Sequence, residues 1–251
     1  MKEQAKSLLI MVAALVVIVV YALLPYEVAI GDFVLKPISL AQLFPKTEKP
    51  ADTPKQPKTK ATVKHHTFLF IGDSMVEGLS RRLADYAQEN GHKLYTVIWY
   101  SSTTEKWAST HTLEHFIRKY RPTYLFICLG SNELFLKDLE ARETFIRTII
   151  EKCKNHPYVW IGPAAWNDDK GIISLIERHA GAGHFFNSRN LKLERGSDHY
   201  HPTWAAAALW MDKAVAYLNS PKAAEPLNLK RPKASHKATL TTLLQPHFEG
   251  Y

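Results

Sequence analysis

Short apolar runs alternate with amphipathic stretches across residues 67–219, and this alternation predicts an α/β domain built on a parallel sheet. Two further observations point the same way. The runs are continuous instead of every-other-residue, as in strands buried on both faces. Small and polar residues collect just after the runs, at the strand ends where doubly wound sheets form their sites. Five runs qualify as strands: "TFLFIG" from Thr67, "KLYTVIWY" from Lys93, "TYLFICLG" from Thr123, "YVWIGPA" from Tyr158 and "GHFFN" from Gly183. The expected fold is therefore α/β with a five-stranded parallel sheet.

Taken from the N-terminus, the chain first shows residues 1–24 as a cytoplasmic tip and membrane anchor. Ser7 to Leu24 reads "SLLIMVAALVVIVVYALL" without a charge, at the lower limit of a bilayer span. Lys2 and Lys6 precede it, which keeps the N-terminus cytoplasmic and places the rest outside. The run is longer than the apolar part of a usual signal peptide, and no A-x-A-like cleavage site follows it. Residues 25–44 are a juxtamembrane segment of mixed apolar character, compatible with a short strand pair. Residues 45–66, with four prolines and six lysines, cannot bury a core and read as an extended linker.

Within the domain, "STHTLEHFIRKY" sets Leu113, Phe116, Ile117 and Tyr120 on one helical face. "LKDLEARETFIRTIIEKCKN" does the same with Leu139, Phe145, Ile146, Ile149 and Ile150. "GIISLIERHAG" and "TWAAAALWMDKAVAYLN" supply two more helices. Residues 220–251 are again rich in Pro and Lys and read as a basic, mostly irregular tail.

The formal charge of +8 suggests a polyanion partner until it is divided along the chain. The linker carries +4 and residues 219–251 carry +3, which leaves +1 for residues 67–218. No nucleic-acid groove is indicated. Cys128 and Cys153 do not make a disulfide framework, and the sequence leaves their pairing open.

The strand ends present Gly72-Asp73-Ser74, then "YSSTTEKW", Gly130-Ser131-Asn132-Glu133, "PAAWNDD", and finally "SDHYHPTW" before the last helix. Ser74 and Glu77 also fit a capping box, so Ser74 is either a helix cap or a nucleophile. As a nucleophile it needs a base, and His201 suits that task. Asp198, three residues earlier, can hold the other ring nitrogen. The serine turn aims helix N-terminal N–H groups at a developing oxyanion, to which Asn132 adds a side-chain donor and Ser102 a backbone one. Asp73 reads as the turn residue that shapes the serine loop, and with Trp166 and Asn167 it is grouped among the residues that can contact substrate. Trp166 and Asn167 follow a strand end and can stack on and hydrogen-bond a sugar ring. The Asp198-His199-His201 cluster and the His111/His115 pair are loose patterns that specify no further ligand, so no metal and no cofactor is expected.

"GDS" at 72–74, "GSNE" at 130–133 and "DHYHP" at 198–202 together resemble the marks of the SGNH (GDSL-type) hydrolases, over about residues 67–218. The resemblance implies a three-layer α/β/α, flavodoxin-like sandwich. It makes Ser74 the nucleophile, His201 the base, Asp198 its orienter, and Ser74, Ser102 and Asn132 the oxyanion donors. It departs at one point. The family usually has a glycine after the second strand, and "YSSTTEKW" has none, Ser102 being the matched residue.

The reading that follows is an anchored extracytoplasmic esterase acting on an acylated envelope glycan. A second keeps the acyl-serine and passes it to polysaccharide beside a membrane-bound O-acyltransferase partner, as anchored SGNH proteins of this kind resemble. A third is a non-catalytic glycan-binding module on the same scaffold.

Overall fold

A computed structural model describes residues 6, 9, 11–13, 28–30, 33–35, 65–235 and 240–251. Two compact units form, Met1–Thr62 and Val63–Tyr251. In the first, β1 (Val28–Ile30) and β2 (Phe33–Leu35) pair antiparallel, with Ile30 opposite Phe33. Among the described residues no helix is long and apolar enough to cross a membrane. The expected span 7–24 lies mostly outside those residues, as does nearly all of the expected linker.

The second unit is built on β3 (Thr67–Gly72), β4 (Lys93–Trp99), β5 (Tyr124–Cys128), β6 (Tyr158–Ile161), β7 (Phe185–Phe186) and β8 (Leu240–Leu244). All pair parallel, in the order β7-β6-β5-β3-β4-β8. The sheet thus has six strands, not the expected five. The sixth comes from the tail expected to be mostly irregular. "LTTLL" pairs with β4 from Tyr95 opposite Leu240 to Trp99 opposite Leu244. It is an edge strand and only Leu244 in it is buried, so it lacks the continuous apolar run that marks the central strands.

Among the described residues six α-helices complete the unit: α1 (Val76–Glu89), α2 (Thr104–Ser109), α3 (Thr112–Tyr120), α4 (Leu139–Cys153), α5 (Ile172–Ala180) and α6 (Trp204–Leu218). Their faces follow from the direction of each crossover, since a parallel strand–helix–strand unit is right-handed. The chain steps from β3 to β4 in one direction, then crosses to β5 and continues outward to β6 and β7 in the other. It returns to β8 at the far edge. The first and last steps share a direction, and α1 and α6 share a core with Phe68, Phe70 and Phe126. α2 to α5 pack on the opposite face over Leu69, Ile71 and Leu125. The period-two alternation of side chains along β3 divides its residues between the two cores. β3 is also where the strand order reverses, so the loop after it opens into the crevice between diverging connections. Gly72 ends β3 because a Cβ there would stand 2.0 Å from the Cys128 carbonyl oxygen.

Both cysteines are buried and free. Burial pushes the Cys153 thiol up to about 12 and Cys128 well above the ordinary range, so neither is reactive at neutral pH.

Candidate active site

Ser74 sits in the turn between β3 and α1. Its hydroxyl is not a helix cap: Met75 occupies the cap position of α1, and no side chain caps there. Glu77 completes no capping box either, because its carboxylate accepts the Tyr100 hydroxyl at 3.2 Å. The Ser74 Oγ instead lies 2.8 Å from His201 Nε2, across 127 residues of sequence.

The partner loop curls tightly. His199 adopts a left-handed φ of 63°. This turn lets Asp198 Oδ1 accept the backbone N–H groups of Tyr200 and His201, at 2.9 and 3.0 Å. Asp198 Oδ2 then lies 2.7 Å from His201 Nδ1. The His201 hydrogen bond, followed by the two backbone donors, holds the Asp198 carboxyl down to about 2. A carboxylate on Nδ1 fixes the tautomer in which Nδ1 donates and Nε2 is left to accept the serine proton. Asp198 and His201 thus direct these atoms at each other and at Ser74. Among the described residues no group of three or more His, Cys, Asp or Glu is placed to hold a metal ion.

Asp73, next to Ser74 in the chain, is wholly buried. Its Oδ1 accepts the Met75 N–H at 3.0 Å, and its Oδ2 has no hydrogen-bond partner among the described residues. Burial raises its pKa to about 7, with a contribution from Glu133, against the pull of nearby backbone N–H groups and His201. A side chain so enclosed shapes the serine turn and offers no surface to substrate, so the substrate-lining role grouped with Trp166 and Asn167 is corrected here.

Asn132 lies in a single 3-10 turn, Ser131–Glu133, after Gly130 with φ 110°. A Cβ at Gly130 would also meet Ile176 at 2.8 Å. The Asn132 amide donates to the Ser102 carbonyl at 2.9 Å, which ties the loops after β4 and β5 and leaves its second N–H uncommitted. Ser102, the expected third donor, needs correction. Its N–H donates to the Trp99 carbonyl at 3.1 Å, and its fully buried hydroxyl accepts the Trp107 indole N–H at 3.0 Å. The Ser101 N–H makes no hydrogen bond among the described residues, and Ser101 is exposed and holds a left-handed φ of 55°. That conformation is the one glycine adopts without penalty, so position 101 has the backbone of this turn that suits a glycine. In the sequence the only signal for it was the pair of serines at the strand end.

Glu133 was not foreseen. It is fully buried and accepts from Thr104 N at 2.8 Å, Thr104 Oγ1 at 2.7 Å and Arg142 Nη1 at 3.2 Å. One carboxylate thereby joins the start of α2, the Asn132 turn and α4. Trp166 is half-buried, with its indole N–H on the Ser131 carbonyl at 3.2 Å. Asn167 is exposed, and its side-chain oxygen accepts the Asp168 N–H at 2.7 Å. Beside the serine a cleft of about 190 Å³ opens between α1 and α6, lined by Met75, Glu77, Gly78, Pro202 and Trp204 along with Ser74 and His201.

No family profile matches the chain, and no curated protein matches it. Solved structures do. The acetyl xylan esterase AlAXEase is 19% identical with a TM-score of 0.50, over 60% of this chain and 98% of that one. TesA is 15% identical with a TM-score of 0.49, over 61% and 97%. A lipolytic protein of the G-D-S-L family from Desulfitobacterium hafniense DCB-2 is 16% identical with a TM-score of 0.48, over 60% and 98%. At such identities the likeness is one of fold, and it is the acetyl xylan esterase that carries it: the chain holds an α/β architecture of the kind found in that enzyme.

Proposed function

We propose that the protein is a membrane-anchored, extracytoplasmic serine esterase that removes acyl groups, chiefly acetyl, from a cell-envelope glycan. The observation that carries the chemistry is the unbroken chain from Asp198 through His201 to the Ser74 hydroxyl. His201 Nε2 takes the hydroxyl proton as Oγ attacks the ester carbonyl. The oxyanion is received by the N–H groups of Ser74 and Ser101, which make no hydrogen bond among the described residues, and by the second Asn132 N–H. The imidazolium then protonates the departing sugar hydroxyl. Water, deprotonated by the same ring, attacks acyl-Ser74 and releases the carboxylic acid. The 190 Å³ cleft supports a short acyl group. The uncharged segment from Ser7 to Leu24 and the lysines before it support the anchor and its orientation.

The test is Ser74→Ala, assayed for ester turnover and melting together. Turnover of nitrophenyl acetate and of acetylated glycan is expected to fall by at least ~10³-fold at an unchanged melting temperature. Full activity in the variant would end the esterase reading. Acetylated oligosaccharide accumulating faster than free acetate, with an activated donor and parent enzyme, would turn it towards transfer and an acyltransferase partner.

A further inference from the structure

Three aromatic rings form a series at the rim of the site. Phe135 meets Trp166 edge to face at 5.0 Å, and Trp166 meets Tyr200 at 4.7 Å. Phe135 is 46% exposed and Tyr200 49%. The series bridges the two loops that carry the site, because Trp166 bonds the residue before Asn132 and Tyr200 directly precedes His201. Phe135 and Tyr200 leave large ring area in water, and Trp166 between them is fixed by its indole hydrogen bond, so the series forms a ready contact surface.

Trp166 also walls a groove of about 400 Å³ whose lining includes Arg189, Asn190, Lys192 and Arg195. The cations in it differ in how they are neutralised. Arg189 pairs with Asp169 at 3.0 Å. Arg195 donates only to carbonyls, Tyr200 at 2.7 Å and Ala164 at 3.0 Å, and has no carboxylate within ion-pair distance among the described residues. Asp198 is the carboxylate that acts on Arg195 from farther off, and it is bound to His201. Lys192 is exposed and forms no ion pair among the described residues. Of the other acids close in sequence, Asp168 pairs with Lys170, and Glu194, which accepts the Thr203 hydroxyl, does not line the groove. The lining itself therefore presents cations and no carboxylate beside an aromatic face.

We propose that this groove holds the saccharide next to the ester and selects glycans bearing a negative charge, as carboxylate or sulfate. The proposal rests on the reading of the site as a glycan esterase. A sugar ring lying on Trp166 places its anionic substituent towards Lys192 and Arg195. Attraction between partly exposed charges is screened by salt, so the preference belongs to low ionic strength.

The test measures binding to the full chain carrying Ser74→Ala, which holds esters without cleaving them. Its probes are a galacturonate tetramer, the methyl ester of that tetramer as the neutral match, and a sulfated galactan tetramer. At least one charged probe is expected to bind roughly tenfold tighter than the neutral one at low salt, with the difference lost at high salt. Which charged probe binds identifies the anion. Lys192→Glu, added to the same chain, should remove most of the preference, and Trp166→Ala should weaken charged and neutral probes alike. Equal affinity for charged and neutral probes overturns the proposal. So does a preference that survives Lys192→Glu, which would assign it to the lysine-rich linker. Hydrolysis of nitrophenyl acetate by the parent is measured alongside. Hydrolysis without charge preference defeats this inference alone, and charge preference without hydrolysis defeats the esterase reading alone.

Discussion

Ser101 and Ser102 are neighbours with opposite tasks, and substitution should separate them. Ser101 is exposed with a left-handed φ, so Ser101→Gly relieves strain while keeping the N–H. Activity is expected to persist and stability to hold or rise by up to about 1 kcal/mol in a denaturant titration. Ser102→Ala leaves the Trp107 indole N–H buried without its acceptor. That variant should lose about 1–3 kcal/mol in the same titration. Asp198→Asn should lower kcat by about 10³–10⁴-fold, because the amide no longer holds the required imidazole tautomer. Asp198 is held down to about 2, so acid inactivation above that pH does not arise from its protonation. Asp73 behaves oppositely. Its pKa rises from 3.8 in a free chain to about 7 in the fold, so the unfolded chain releases the proton first. The native state is therefore penalised increasingly as pH rises through this interval, and fully above it. Asp73→Asn removes the charge and retains an acceptor for the Met75 N–H. Its melting temperature relative to the parent should improve between pH 5 and pH 8, and a pH-independent difference would refute the assignment.

Helices α1 and α6 meet at Gly78, and their closeness sets the cleft. A Cβ at Gly78 would stand 2.6 Å from the Ala207 Cβ, so the helices must part to admit it. Gly78→Ala gains about 1 kcal/mol of helix propensity and loses about 1–3 kcal/mol to overpacking. Overpacking wins, and a lower melting temperature is expected. Turnover should fall with it, because Gly78 lines the cleft and α6 begins just after the His201 loop. On the opposite face Glu133 joins three elements through one buried carboxylate. Glu133→Gln must lose an acceptor towards Thr104 or Arg142, and it leaves the Arg142 guanidinium paired with the more exposed Glu105 alone, at 3.0 Å. A loss of roughly 1–3 kcal/mol is expected by calorimetry, as for a buried donor that loses its acceptor.

The tail of the chain completes the domain instead of trailing from it. β8 covers the edge of β4, and the Leu244 carbonyl accepts the Tyr100 N–H at 3.0 Å, one residue before Ser101. Phe248 packs edge to face on Trp99 at 5.2 Å, and Tyr251 stacks on His115 at 3.7 Å. Truncation after residue 239 should therefore lower the melting temperature and expose the β4 edge to aggregation. It should also reduce turnover further than unfolding accounts for, because the Ser101 turn loses its anchor. Turnover per folded molecule equal to that of the parent would show that the tail is a stabilising strap alone.

The central strands were legible because strands buried on both faces must be apolar over short continuous runs bounded by turn residues. Ser74, Asn132, Asp198 and His201 were legible because each follows a strand or precedes a helix at the same end of a parallel sheet. β8 was not, since an edge strand with one wet face needs only weak alternation, and that alternation is embedded in a basic, proline-rich tail. The residue types around Ser74 left cap and nucleophile both open, because both uses begin with the same hydroxyl in the same turn, and only the motif resemblance implied the second. The fold removes the cap and brings an imidazole 127 residues away to 2.8 Å of the hydroxyl. The exchange of Ser102 for Ser101 and the clamp at Glu133 have the same origin. Which backbone N–H stays free, and which carboxylate loses its water, depends on the neighbours that packing supplies, and those neighbours are distant in the chain.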